Sequence, residues 1–136
     1  MQLTPVIAIH MAAALGAVAT GAVALWARRG RTQHPKLHRA FGYAWVTLMV
    51  VTAASALFIR DHGLPNIAGY TPIHLLVPVT FASLFWAFFM LAKGNVRGHR
   101  LVMQNLYIGA CIVAGVFTLL PQRYLGQLVW RGLGVL

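Results

Sequence analysis

Four stretches of this 136-residue chain carry no charged side chain: residues 1–27, 40–59, 62–92 and 101–122. Each reaches the roughly 20 residues that an α-helix needs to cross the hydrocarbon core of a bilayer. In lipid every backbone polar group must be paired within the protein, and a helix does this segment by segment. Only 9% of the residues are charged and 60% are hydrophobic, whereas soluble domains are about a quarter charged. The expected fold is all-α: a single transmembrane domain of four spans at residues 4–27, 37–59, 71–92 and 98–120, forming a four-helix bundle. The remainder, residues 121–136, is too short and polar to span again. With Tyr124, Trp130, Arg123 and Arg131 it suits a short helix at the outer interface.

Scarcity of ionisable groups removes much chemistry. The one acid, Asp61, cannot form a carboxylate dyad, a proton relay of acids through the spans or an oxygen-rich Ca²⁺ cage. The one cysteine, Cys111, excludes an intrachain disulfide and any paired-cysteine motif. A net charge of +10 suits anionic lipid head groups and membrane topology, so nucleic acid is not an expected partner. Eight of the eleven Lys and Arg residues fall between, or just inside, the facing ends of the first and second or the third and fourth spans; Arg60, Arg123 and Arg131 lie on the other side. The positive-inside rule then puts both termini outside. The first span is not read as a cleaved signal peptide, because its positive charges follow the apolar run.

The spans contain an internal repeat. Spans one and three open with Thr4-Pro5 and Thr71-Pro72, followed by His10 and His74; spans two and four open with His38-Arg39 and His99-Arg100. Thr suits the N-cap and Pro the first helical position. The halves are expected to be parallel two-helix repeats.

Because alternate spans run in opposite directions, the repeat pairs the histidines by leaflet. His10 and His74 fall in the outer leaflet, His38 and His99 in the inner. Their depths are compatible: His10 is ~9 Å past Thr4 and His74 ~4.5 Å past Thr71 at the helical rise. Polar groups at membrane depth are costly and tend to be functional. Two neutral imidazoles from opposed helices supply the axial ligand set of a b-type haem, whereas two are too few for a structural zinc site. Arg39 and Arg100 stand beside the inner pair, in reach of haem propionates as charge-assisted donors.

Helix faces add to this pattern. The stripe from His10 through Ala14, Ala17, Gly21 and Ala24 is small, and the stripe from His74 through Pro78, Phe81, Phe85 and Phe88 is aromatic. A small face opposite an aromatic one leaves room for a flat macrocycle, as does Gly42 one turn after His38. Pro78 removes a hydrogen bond to the carbonyl of His74, so a kink is expected there. Each feature also has a plainer reading: small stripes pack helices, Phe stripes fill cores, single histidines sit at interfaces and arginines set topology. The joint recurrence of one histidine per span favours ligation. His34 and His62 break the repeat and read as solvated loop residues.

These residues resemble the cytochrome b-561-like superfamily of di-haem membrane cytochromes, and most closely its small bacterial four-span branch of unknown function. The resemblance rests on His34-Pro35-Lys36-Leu37-His38-Arg39-Ala40-Phe41-Gly42, on Gly98-His99-Arg100 and on Ile73-His74-Leu75-Leu76, and covers essentially the whole chain. It implies two haem b groups, the inner held by His38 and His99 and the outer by His10 and His74. The inner is the more secure, because His10 lies deeper along its helix than His74. No ascorbate-site signature of the eukaryotic members is present.

The expected function is transmembrane electron transfer. From His38 to Ile59 is ~32 Å of helix, which two haems would divide into shorter hops, with a quinone at one face and a small redox partner at the other. Two rivals stand beside it. One is a non-redox binding or structural subunit associating through its Gly/Ala faces, which also suit a homodimer. The other is a metal-ion transporter using His with Met11 and Met103, soft enough for Cu(I).

Overall fold

The computed structural model describes residues 3–31, 33–60 and 67–136. Among them the structure is helical, with one isolated antiparallel bridge between Ile67 and Tyr70. Helix α1 spans Pro5–Trp26 and α2 spans Pro35–Ala56. A 3₁₀ turn, Pro72–Leu75, leads into α3, Leu76–Ala92. Helix α4, Val96–Leu106, continues through a π-helical segment, Tyr107–Val113, into α5, Ala114–Thr118. A last helix, α6, covers Tyr124–Gly132.

Local chemistry accounts for the ends. Thr4 Oγ1 accepts from the Ile7 N–H at 3.3 Å, and Pro5 takes the first helical position, where its missing N–H is not needed. Asn95 Oδ1 accepts from the Gly98 N–H at 2.8 Å and α4 starts at Val96, two residues before the expected span start at 98. Gly94, at φ +78°, reverses the chain after α3, and the Asn95 N–H closes on the Met90 carbonyl at 2.9 Å. The disturbance expected at Pro78 takes the form of the 3₁₀ turn. With no N–H to offer the carbonyl of His74, Pro78 leaves the first turn to tighten before the α-helix sets in.

Three stretches are long and apolar enough to cross a membrane: Pro5–Trp26, Pro72–Ala92 and Val96–Thr118. Helix α2 equals α1 at 22 residues but is less apolar, since Lys36, His38 and Arg39 occupy its first turns and Tyr43, Trp45 and Thr47 follow. It is therefore not among the three.

Contacts along α1 and α2 run in opposite order, which makes the pair antiparallel. His10 meets Thr52 and Ser55, Gly16 meets Leu48, Gly21 meets Trp45, and Ala24 meets His38. Helices α3 and α4 pair likewise, with Ala87 and Phe88 against His99. All these elements contribute to one core cluster: Ala17, Trp45, Met49, Leu84, Leu106 and Cys111.

The face of α3 turned inward differs from expectation. Its buried residues are Val77, Thr80, Leu84 and Ala87, while Phe81 is 40% and Phe85 72% exposed. Small residues let helices approach, and large apolar ones can face lipid at no cost, because acyl chains are as apolar as a core. The α1 stripe does face inward through Ala17, Gly21 and Ala24, with Ala13 buried where Ala14 was expected and Ala14 itself half-buried.

The expected tail helix is present as α6. Trp130 Nε1 donates to the Leu119 carbonyl at 2.7 Å, and Gly126 lies so close to the Leu120 carbonyl that no β-carbon fits.

Candidate functional site: two histidines on one cavity

His38 of α2 donates from Nδ1 to the carbonyl of Ala24 in α1, at 2.7 Å. His99 of α4 does the same to Ala87 in α3, at 3.0 Å. The internal repeat thus appears as a repeated contact, in which the histidine of a second helix reaches an alanine carbonyl of the first. Ala24 and Ala87 are 6% and 0% exposed, and their single methyl groups let an imidazole reach the backbone. A carbonyl only accepts, so each Nδ1 carries the proton and each Nε2 keeps a lone pair. Neither Nε2 has a hydrogen-bond partner among the described residues. Histidines that bind metals are held in this way, with the other ring N–H on a backbone carbonyl.

Both histidines line one cavity of about 850 Å³, within the range of small-molecule and cofactor sites. Residues of the α1–α2 turn line it together with Leu91 and Val96, which flank the α3–α4 turn, so both turns lie at the same end of the molecule. Its walls include Gly21, Ala24, Gly42, Trp45, Phe88 and Tyr107. A β-carbon on Gly42 would meet nothing within 4 Å, so this wall is open to an occupant. Gly21 is the opposite case: its β-carbon would come within 2.5 Å of Tyr107 Cε2 and 2.7 Å of Trp45 Cδ1. Tyr107, which opens the π-helical segment, is anchored by its hydroxyl donating to the Val18 carbonyl at 2.9 Å. π-Helical turns concentrate at functional sites.

Four guanidinium-bearing residues line the same cavity: Arg28, Arg29, Arg39 and Arg100. Arg28 donates to Gln33 Oε1 at 2.8 Å. None of the four meets a carboxylate among the described residues, and the sequence has a single acid, Asp61. The cavity therefore combines apolar walls with cationic side chains, suited to an apolar ligand that carries acidic groups.

The other two span histidines are placed differently. His10 donates from Nδ1 to the Thr52 carbonyl at 2.9 Å, with Ser55 Oγ at 3.0 Å. His74 accepts at Nδ1 from the Thr71 N–H at 3.1 Å and donates from Nε2 to the Ile59 carbonyl at 2.9 Å. Both lie toward the C-terminal end of α2, away from the cavity. His34 caps α2 and stacks on Trp26 at 5.3 Å, in an exposed position. His62 lies outside the described residues.

Of the residues singled out from sequence, His38, His99, Arg39, Arg100 and Gly42 come together on the cavity, and His10 and His74 do not. Arg28, Arg29, Trp45 and Tyr107 line it too without a sequence signal that marks them for it; from sequence, the two arginines read only as topology determinants. The inward turn of Tyr107 depends on the π-helical segment, which has no sequence signature.

No cluster of three or more His, Cys, Asp or Glu side chains suited to a metal ion occurs among the described residues. The sequence profile of the DUF2306 family of predicted membrane proteins matches residues 7–122. The chain belongs to that family. The match takes in both histidines of the cavity and all three membrane-crossing helices in whole or large part, so this DUF2306 member is a membrane protein in contact with the lipid bilayer. No curated protein and no solved structure matches it.

Proposed function

We propose that this DUF2306 protein is a b-type cytochrome of the bacterial inner membrane, in which His38 and His99 hold a haem. One observation carries the reading: two half-buried imidazoles, each with Nδ1 fixed on an alanine carbonyl and Nε2 unengaged, line the same cavity. The donor set suits six-coordinate haem iron, whose ligands are neutral imidazole nitrogens steadied by a second-shell acceptor. When bound, the haem would supply reversible one-electron chemistry between its ferric and ferrous states. The chain's own residues bind and orient. Gly42 leaves room for the ring, Trp45 and Tyr107 close the deep wall, and Arg39 and Arg100 neutralise acidic substituents at the rim, with Arg28 and Arg29 beside them.

In this reading α2 is the fourth span, because it packs antiparallel along α1 and would lie beside it in the bilayer. The four rods then form a four-helix membrane bundle of two parallel repeats. Its basic turns face the cytoplasm, both termini lie outside, and α6 rests at the outer interface. A quinone or another small redox partner would exchange electrons with it. The likeness to b-561 cytochromes supports the same assignment.

Purification from haem-replete cells tests this. The expected preparation is red, with a Soret band and sharp α and β bands on reduction, and His38→Ala or His99→Ala abolishes them. A colourless, folded wild-type protein would instead favour the non-redox structural subunit, and co-purifying copper the metal transporter.

A further inference from the structure

The b-561 likeness implies a second haem, held by His10 and His74. The hydrogen bonding of His74 does not fit that role. The backbone N–H of Thr71 can only donate, and it points at Nδ1 from 3.1 Å; the carbonyl of Ile59 can only accept, and it lies 2.9 Å from Nε2. Two partners of fixed polarity settle the tautomer: Nε2 carries the proton and Nδ1 uses its lone pair. His38, His99 and His10 show the other arrangement, with Nδ1–H on a carbonyl. His74 is thus the one span histidine with no lone pair left for a metal. Ligation through Nε2 would break the bond to the Ile59 carbonyl, and ligation through Nδ1 would uncap the Thr71 N–H.

The surroundings of His74 describe a different task. It stands at the third position of the 3₁₀ turn and reaches back to the N-cap N–H, the place that Glu or Gln takes in a capping box. Through Nε2 it ties that turn to the chain just beyond α2. Tyr70 packs edge-on against its ring at 5.1 Å. Tyr70 is itself held by the Arg60 guanidinium 4.0 Å from its ring centre, and its hydroxyl donates to the Leu57 carbonyl at 3.1 Å.

We infer that His74 is a clasp joining the start of α3 to the end of α2, and that the chain binds one haem, at the basic end alone. This rests on the haem assignment to His38 and His99. Electron exchange is then confined to the cationic face of the protein, with no second haem to carry charge to the outer face.

The test uses the full-length protein in detergent, with haem per chain from the pyridine haemochromogen and thermal unfolding of the haem-free form. Wild type is expected to hold one haem per chain. His74→Gln keeps an acceptor for the Thr71 N–H but cannot ligate haem iron as imidazole does; it is expected to keep the full haem content and most of the stability. His74→Ala loses the acceptor and lowers the unfolding temperature, and His10→Ala leaves haem content unchanged. Two haems per chain, or loss of half the haem in His74→Gln, overturns the inference while leaving the His38–His99 site standing. A wild type without haem overturns that site instead. The clasp is then judged by unfolding alone, and equal stability of His74→Ala and wild type refutes it.

Discussion

The ring of Tyr107 occupies the space in which a β-carbon of Gly21 would stand. That one contact joins α1 to the π-helical segment after α4, and the Tyr107 hydroxyl completes it by donating to the Val18 carbonyl, 2.9 Å away. Trp45 closes on the same glycine from α2, so three elements meet where the deep wall of the cavity is built.

Gly21→Ala should therefore be costly. The neighbours are two aromatic rings and not a flexible side-chain end, and overpacking of this kind costs about 1–3 kcal/mol. Gly16→Ala is the control, since the nearest atoms to its β-carbon all belong to the Leu48 side chain, Cδ1 first at 3.0 Å, and that flexible end can turn aside. Thermal unfolding in one detergent should place Gly21→Ala well below wild type and Gly16→Ala close to it.

Gly42 separates folding from cofactor binding. Its β-carbon would meet no protein atom within 4 Å, and alanine is favoured over glycine inside a helix by roughly 1 kcal/mol. Gly42→Ala and Gly42→Leu should leave the haem-free protein as stable as wild type or slightly more so. Gly42→Leu should lower haem content by filling the cavity, whereas unchanged haem binding in Gly42→Leu would show that the macrocycle lies elsewhere.

Arg39 and Arg100 should act on the midpoint potential. Positive charge near haem iron favours the ferrous state, which carries one charge less, and the local environment is a main lever on potential. Arg39→Gln and Arg100→Gln should each lower the potential by tens of millivolts in a spectroscopic redox titration, with absorption bands unmoved. A rise in potential contradicts the placement of the cations beside the haem.

The cap on α4 lies one turn before His99. Asn95→Ala removes the acceptor for the Gly98 N–H, a loss of about 1 kcal/mol at a typical N-cap. Unfolding temperature should fall. Asn95→Asp and Asn95→Ser should restore it, because each offers an oxygen at the same place.

Much of the architecture was legible in the chain itself. The Thr4-Pro5 cap and three of the four uncharged runs of span length are local features, and local rules read them correctly. The polar first turns of α2 kept it from the apolarity of the other long helices, although its length matched α1.

Periodicity could not say which side of α3 faces inward. In water the apolar stripe marks the core, but in a bilayer both surroundings are apolar, so Phe85 faces outward while Thr80 is 3% exposed. Nor could spacing distinguish His99 from His74, each near the start of its rod. The difference lies in backbone groups brought near from elsewhere in the chain: the Ala87 carbonyl leaves one ring nitrogen of His99 unengaged, while the Thr71 N–H and Ile59 carbonyl occupy both on His74. Sequence alone determined that this protein is helical, basic at its turns and suited to a membrane. The packing of one segment against another decided which imidazoles keep a lone pair, because a hydrogen bond depends on atoms that only the folded chain brings within about 3 Å of each other.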